Sequence, residues 1–360
     1  MTQVEERSGE EEDGAHEQRA VREGRKGRNV GEGRADGDGP LRRGLVLGGG
    51  GMLGAAWTIG ALTAVEEATG WRPGTADVLL GTSAGAILST MLAAGVDVEQ
   101  LARHQRGGQV LEGPLAGARF DYETAVGGAL PPRPRAAIGS PGLLRDAVRH
   151  PRDYPFLTMV SAAVPTGRGS VAAVGELVRH LVGADGFAPG TPLRVAAVDY
   201  RSGRRVVFGD PDAPRASVSD AVMASCAIPG WFAPIEVDGS RYVDGGCWSA
   251  TNADLLAGRG LDEVYVLAPM ALRPDPGGRR GHDRPRGALA QLVSRYRRAV
   301  NRQLLREARE LRADGVRVRL LAPTPADLAV MGPNMMDPAR REATLEAALE
   351  TARDALRATR

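Results

Sequence analysis

The sequence predicts an α/β fold with a mainly parallel sheet, and three observations predict it. Residues 44–47 and 77–80 are short apolar runs of the length of a buried strand. A glycine-bearing turn follows each, at 48–51 and 81–85. Helix-like apolar spacing follows each turn, over 55–68 and then through Met91 and Leu92. Strand, turn and helix, repeated, is the pattern of parallel strands joined by helical crossovers.

The remaining elements extend this pattern. Ser170 to Val182 places Val171, Val174, Leu177, Val178 and Leu181 on one helical face. Residues 193–200 and 205–208 read as paired strands joined at Ser202-Gly203. Residues 217–225 form a short helix, 264–267 a buried strand, 288–313 a long amphipathic helix, 316–321 a last strand and 339–360 a terminal helix. Residues 113–142 and 273–287 are Gly- and Pro-rich, so both read as loops, the first a candidate lid. No internal repeat is visible.

Bulk composition narrows the function classes. Residues 1–40 carry almost no large apolar side chains and read as a disordered, charged tail. The rest divides into a catalytic domain over 41–336 and a C-terminal helix, 337–360, packed on or extending it. The net charge of +2 lacks the basic excess of a nucleic-acid binder. Lys26 is the single lysine, so arginine is the default cation here. Two cysteines, Cys226 and Cys247, exclude a disulfide framework and a cysteine-rich zinc site. No cofactor or metal site is expected. The acidic start lacks the basic and apolar regions of a signal peptide, and no run reaches a membrane span, so a cytoplasmic location is expected.

Chemistry concentrates in three motifs. Gly81-Thr82-Ser83-Ala84-Gly85 fits a nucleophile elbow, directly after a strand and before a helix. Its turn is too tight for bulky side chains, which accounts for Gly81 and Gly85, and it lifts the Ser83 hydroxyl at a helix N-terminus. Gly48-Gly49-Gly50-Gly51-Met52-Leu53-Gly54 exposes backbone N–H groups suited to an oxyanion hole. Gly49, Gly51 and Gly54 also match a dinucleotide-binding fingerprint. That reading needs an acidic residue near the end of the second strand, where Ser83 stands instead. Tyr242-Val243-Asp244-Gly245-Gly246 is alone no more than a hairpin corner.

In this order the motifs resemble the patatin-like phospholipases, which carry a glycine-rich G-G-G-x-R/K-G turn, G-x-S-x-G and a later D-G-G/A. The stretch Ala224 to Pro234, ASCAIPGWFAP, looks like that family's approach to its aspartate. The resemblance implies a three-layer α/β fold, with helices on both faces of a mainly parallel central sheet. It implies a lipid acyl hydrolase with Ser83 as nucleophile, Asp244 as base and Gly50 and Gly51 as oxyanion donors, supported by Gly49, Gly54, Gly81, Gly85, Gly245 and Gly246. Its substrate would be a lipid or other acyl ester. Independently, the sequence offers no cluster of His, Cys or acidic residues at ligand spacing, so no calcium requirement is expected. The departure is Leu53, where the family usually has Arg or Lys.

Two other readings compete. A Ser-His-Asp triad would need a histidine after Asp244, and His282, in an Arg/Gly/Pro-rich loop, is the only one. His104, His150 and His180 precede it and read as ordinary histidines. The other is a non-catalytic lipid-binding protein, against which both filled catalytic positions argue. The 288–313 helix carries Arg295, Arg297, Arg298, Arg302, Arg306, Arg309 and Arg312. That stripe suits a solvated face or peripheral contact with an anionic membrane, interrupted by Glu307 and Glu310. Met331 to Met336 suits core packing or an acyl pocket. Oligomeric state is not encoded in any motif.

Overall fold

Alternation along two neighbouring strands divides the core. In β1 (Arg43–Leu47), Leu45 and Leu47 point to one face and Val46 to the other. In β2 (Val78–Thr82), Leu79 joins the first face and Val78 and Leu80 the second. Both sides of such strands are buried, so they read as continuous apolar runs. The computed structural model describes residues 40–118, 120–121, 134, 138–273 and 288–358, and for 288–294 the backbone only. The predicted tail (apart from Pro40), most of the candidate lid and His282 therefore lie outside the described residues.

Helix α1 (Gly51–Thr69) follows β1 and starts inside the glycine cluster, four residues before the sequence pattern begins. Helix α2 (Ala84–Ala93) follows β2, and α3 (Val98–Gln105) follows with a capping box from Asp97 and Gln100. Beyond the loop come α4 (Pro141–Arg149), α5 (Phe156–Ala163) and α6 (Ala172–Val182). The sequence pattern does not signal α3, α4 or α5; each is at most nine residues long, too short for periodicity to stand out. Strands β3 (Leu193–Asp199) and β4 (Arg205–Phe208) pair antiparallel as expected. Helix α7 (Val218–Ser225) is capped by Ser217. A hairpin follows, β5 (Ile235–Val237) and β6 (Ser240–Asp244). Then come β7 (Glu263–Leu267), α8 (Ala288–Ala313), β8 (Arg317–Leu321), α9 (Pro325–Met331) and α10 (Arg341–Arg357).

The sheet order is β5-β6-β3-β2-β1-β7-β8, with β4 also paired to β3. Strands β3, β2, β1, β7 and β8 run parallel, as predicted. One face carries α1, α3 and α10 through Trp57, Leu62, Leu101 and Leu345. The other carries α8 through Val300, Leu304 and Leu311. The result is the three-layer α/β fold. Helix α10 lies close on α1, where a Cβ on Gly60 would strike the Leu345 carbonyl. Residues Leu41–Arg360 form one compact unit. Among the described residues, no helix is long and apolar enough to cross a membrane.

One junction positions the site. Thr82 of β2 pairs with Ala196 of β3, and Asp244 of β6 pairs with the next residue, Ala197. Both β3 residues pair with β4 on their other side, so β2 and β6 share a single edge of β3. The two strands run in opposite directions and meet end to end there. Ser83 and Asp244 are thus brought together by consecutive residues of one strand.

Candidate active site

Ser83 leaves β2 with φ 55° and ψ −126°, a conformation that a side-chain-bearing residue rarely adopts. Its neighbours show why the turn must be so tight. A Cβ on Gly85 would strike the Leu47 carbonyl of β1, and one on Gly81 would strike Ala86 Cα. Helix α2 begins at the next residue, so its N-terminal dipole points at the hydroxyl. The Ser83 amide donates to Ser225 Oγ at 2.8 Å, and that hydroxyl donates to the Ala196 carbonyl at 2.7 Å. Ser225 belongs to the stretch that approaches the aspartate. The same stretch holds the other partner, because the Asp244 amide donates to the Ala227 carbonyl at 3.1 Å.

Asp244 is 5% exposed, and Ser83 6%. Burial pushes the Asp244 carboxyl up to about 6, against the opposing hydrogen bonds of the Ser83 side chain and the Gly246 amide. The amide bond is 2.7 Å long. Gly245 fits because a Cβ there would lie 2.5 Å from the Ala196 carbonyl. One on Gly246 would lie 3.0 Å from Asp244 Oδ1. Among the described residues, no histidine is among the groups that set the acidity of Asp244.

The glycine-rich turn lies directly against the serine: a Cβ on Gly49 would be 3.0 Å from Ser83 Cβ. The amides of Gly48, Gly49, Leu53 and Gly54 donate to Leu267, Ala250, Met335 and Gly50 carbonyls at 2.8–3.0 Å. Those of Gly50 and Gly51 have no acceptor among the described residues. Gly51 holds φ +60°, and a Cβ there would crowd Met336 Sδ at 2.7 Å. Gly50 and Gly54 face Pro269. Leu53, at the position where the family usually has Arg or Lys, lies in the first turn of α1 and is fully buried in the core.

An apolar cavity opens from Ser83. Ile59, Leu88, Met91, Leu177 and Phe232 line it, and Met336 closes the side next to Gly51. Of the Met-rich stretch, Met336 thus serves the cavity while Met331 is core. His104 and Gln105 are the polar residues at the α3 wall. Burial first, and the Arg341 charge second, hold the His104 pKa below its usual value, so it is neutral at pH 7.

Behind the site lies a polar brace that no sequence motif announces. Asn252, in the left-handed conformation at φ 54°, donates from Nδ2 to Thr82 Oγ1 at 3.1 Å and to the Gly245 carbonyl at 3.3 Å. It therefore ties the residue before Ser83 to the residue after Asp244. Glu307 of α8 supports that loop, accepting from Thr251 Oγ1 at 2.6 Å and the Ala253 amide at 3.0 Å. In the sequence Glu307 interrupts a basic stripe; in the fold it is 1% exposed. Only pairing of distant segments reveals either role.

Two solved structures are similar to the chain at low identity. VipD from Legionella pneumophila shows 15% identity and a TM-score of 0.39, over 89% of this chain and 67% of that one. The type III effector protein ExoU shows 17% identity and a TM-score of 0.32, over 89% and 53%. The chain thus spans about two thirds of the first and about half of the second. Among protein families, residues 45–257 match the patatin-like phospholipases.

Proposed function

The chain belongs to the patatin-like phospholipase family, and from that premise we propose that it cleaves carboxylic ester bonds of phospholipids or related acyl esters through a Ser83–Asp244 dyad. One observation carries the reading. A strained serine faces a buried carboxylate, beside two amides without acceptors, at the mouth of an apolar cavity.

In the proposed reaction the acyl chain occupies the cavity and its ester carbonyl lies over Ser83. Ser83 Oγ attacks the carbonyl carbon while its proton passes to Asp244. The Gly50 and Gly51 amides receive the oxyanion. Collapse of the tetrahedral intermediate breaks the bond to the leaving alcohol, which takes the proton from Asp244. Water then attacks the acyl-enzyme and gives a proton to Asp244. That proton returns to Ser83 as the fatty acid departs. An aspartate at its ordinary pKa is a weak base at neutral pH. Burial of Asp244 raises its basicity while leaving it ionised at pH 7.

The test is hydrolysis of a medium-chain p-nitrophenyl ester by wild type, Ser83→Ala and Asp244→Asn, each checked for folding, with His282→Ala as control. The dyad requires both site variants to lose activity roughly a thousandfold or more, and the His282 variant to keep it. Full activity in Asp244→Asn, or its loss in His282→Ala, would assign the base elsewhere.

A further inference from the structure

The acyl cavity leaves the other half of an ester, its alcohol, to be placed. Helix α8 passes beside the glycine-rich turn, where Arg297 reaches the Met270 carbonyl next to Pro269. The phenol of Tyr296, one residue before, is held near pKa 12 by burial first and by the charge of Asp244 second. Arg297 follows it. Its Nη1 donates to the carbonyls of Met270 at 3.1 Å and Ala271 at 3.3 Å, and Nη2 meets Met335 Sδ at 4.0 Å.

Both anchors wall the glycine-rich turn. Pro269, beside Met270, lies 3.0 Å from where a Gly50 Cβ would stand, and the Met335 carbonyl lies 3.1 Å from where a Gly51 Cβ would stand. Arg297 is half-buried, and burial pulls its pKa below the usual value, although a guanidinium stays charged at any working pH.

Several other half-buried arginines in this molecule end on carboxylates. Arg43 meets Glu263 at 3.2 Å, Arg194 meets Asp210 at 2.7 Å, Arg205 meets Asp254 at 2.6 Å and Arg259 meets Asp210 at 2.8 Å. Arg297 meets no carboxylate among the described residues. Among the described residues, two carbonyls and a weak thioether acceptor leave several of its five N–H donors unused. A half-buried cation is stabilised by an anion brought against it.

Arg297 does not line the acyl cavity. We propose that the leaving group of an ester whose chain fills the cavity runs past the oxyanion turn, and that Arg297 selects it by binding an anionic group such as a phosphate carried on the departing alcohol. The proposal rests on the acyl-hydrolase reading for its biological meaning, but its binding step is testable without turnover.

Two measurements test it. The first compares kcat/KM on a medium-chain acylglycerol phosphate and on the matched neutral monoacylglycerol, for wild type, Arg297→Gln and Arg297→Lys. Charge-assisted hydrogen bonds of this kind correspond to roughly 10- to 100-fold. Arg297→Gln should lose that factor on the phosphate ester and change the neutral ester by less than about threefold. Arg297→Lys should recover part of the loss. Equal losses on both esters would reduce Arg297 to a prop for the 269–271 turn and overturn the proposal. The second titrates a non-hydrolysable ether analogue of the acylglycerol phosphate into Ser83→Ala, with and without Arg297→Gln. Weaker binding in the double variant supports the proposal even in a protein that hydrolyses neither ester. Equal binding overturns it, as does an Arg297-dependent shift given equally by inorganic phosphate alone, which would make the site one for free anions.

Discussion

Strand β6 begins and ends at an Asp-Gly pair, and the two pairs have opposite fates. Asp238 and Gly239 form the β5–β6 turn, with φ of 49° and 72°. Positive φ at both central residues is what a tight hairpin turn with the twist of its strands requires. Asp238 stands in water, and its carboxylate has nothing to do but suit the turn. Asp244 and Gly245, six residues on at the other end of the strand's pairing, are packed against β3 and β2. There burial lifts the carboxyl to about 6 and sets it before a serine. The dipeptide is a turn signal in both places. Burial, not the dipeptide, suits one of them to the proposed role of base.

Four outcomes would sharpen or break this contrast, beginning with the largest. Asp244→Asn should abolish ester hydrolysis, roughly a thousandfold or more, while Asp238→Asn keeps wild-type turnover. A comparable loss in both would mean that the hairpin, not the carboxylate, carries the effect. Next, kcat/KM should be flat above pH 6 and fall about tenfold per pH unit below it, because the ionised form of Asp244 is the base. A profile that instead breaks near pH 4 would place Asp244 in a wetter site.

Stability should respond in the opposite sense. The folded protein holds the Asp244 proton more tightly than the unfolded chain, so stability falls as pH rises from about 4 to about 6. The rise from 3.8 to about 6 corresponds to roughly 3 kcal/mol of penalty at neutral pH. Asp244→Asn removes it, so the inactive variant should resist urea better than wild type at pH 8, with the gap closing by pH 4. A gap independent of pH would assign the gain to packing. Smallest of all, Asp238→Asn should leave the unfolding free energy from urea titration within about 0.5 kcal/mol of wild type, since asparagine suits the same turn.

Much of this was legible in the sequence, for definite reasons. The parallel core was legible because strands buried on both faces are short apolar runs, as in Leu45, Val46 and Leu47. The elbow and the glycine turn were legible because close backbone approaches admit only glycine, as at Gly85 against Leu47. Short helices such as α5 offered too few turns for periodicity. The hairpin at Asp238 went unread because the stronger motif stood six residues away. Asn252, Ser225 and Glu307 were invisible for a different reason. Each acts on residues brought near by sheet pairing, and neither residue type nor spacing records that. Arg297 was hidden among six other arginines of the same helix, and only its inward orientation separates it from them.

The end-to-end meeting of β2 and β6 on one edge of β3 has a consequence for how the protein tolerates change. The spacing of nucleophile and base is inherited from the rise of a single strand, about 3.3 Å per residue, and not from any hinge or loop. Helices around the sheet can drift, lengthen or be exchanged during evolution without disturbing that spacing. The vulnerable place is the peptide bond between Ala196 and Ala197, which carries no reactive group at all. An extra residue inserted there would shift one half of the site by a full residue and turn its side chains to the opposite face. A designer recombining fragments of related sequences should therefore keep β3 whole, together with the Ser225 and Asn252 contacts that hold the two strand ends.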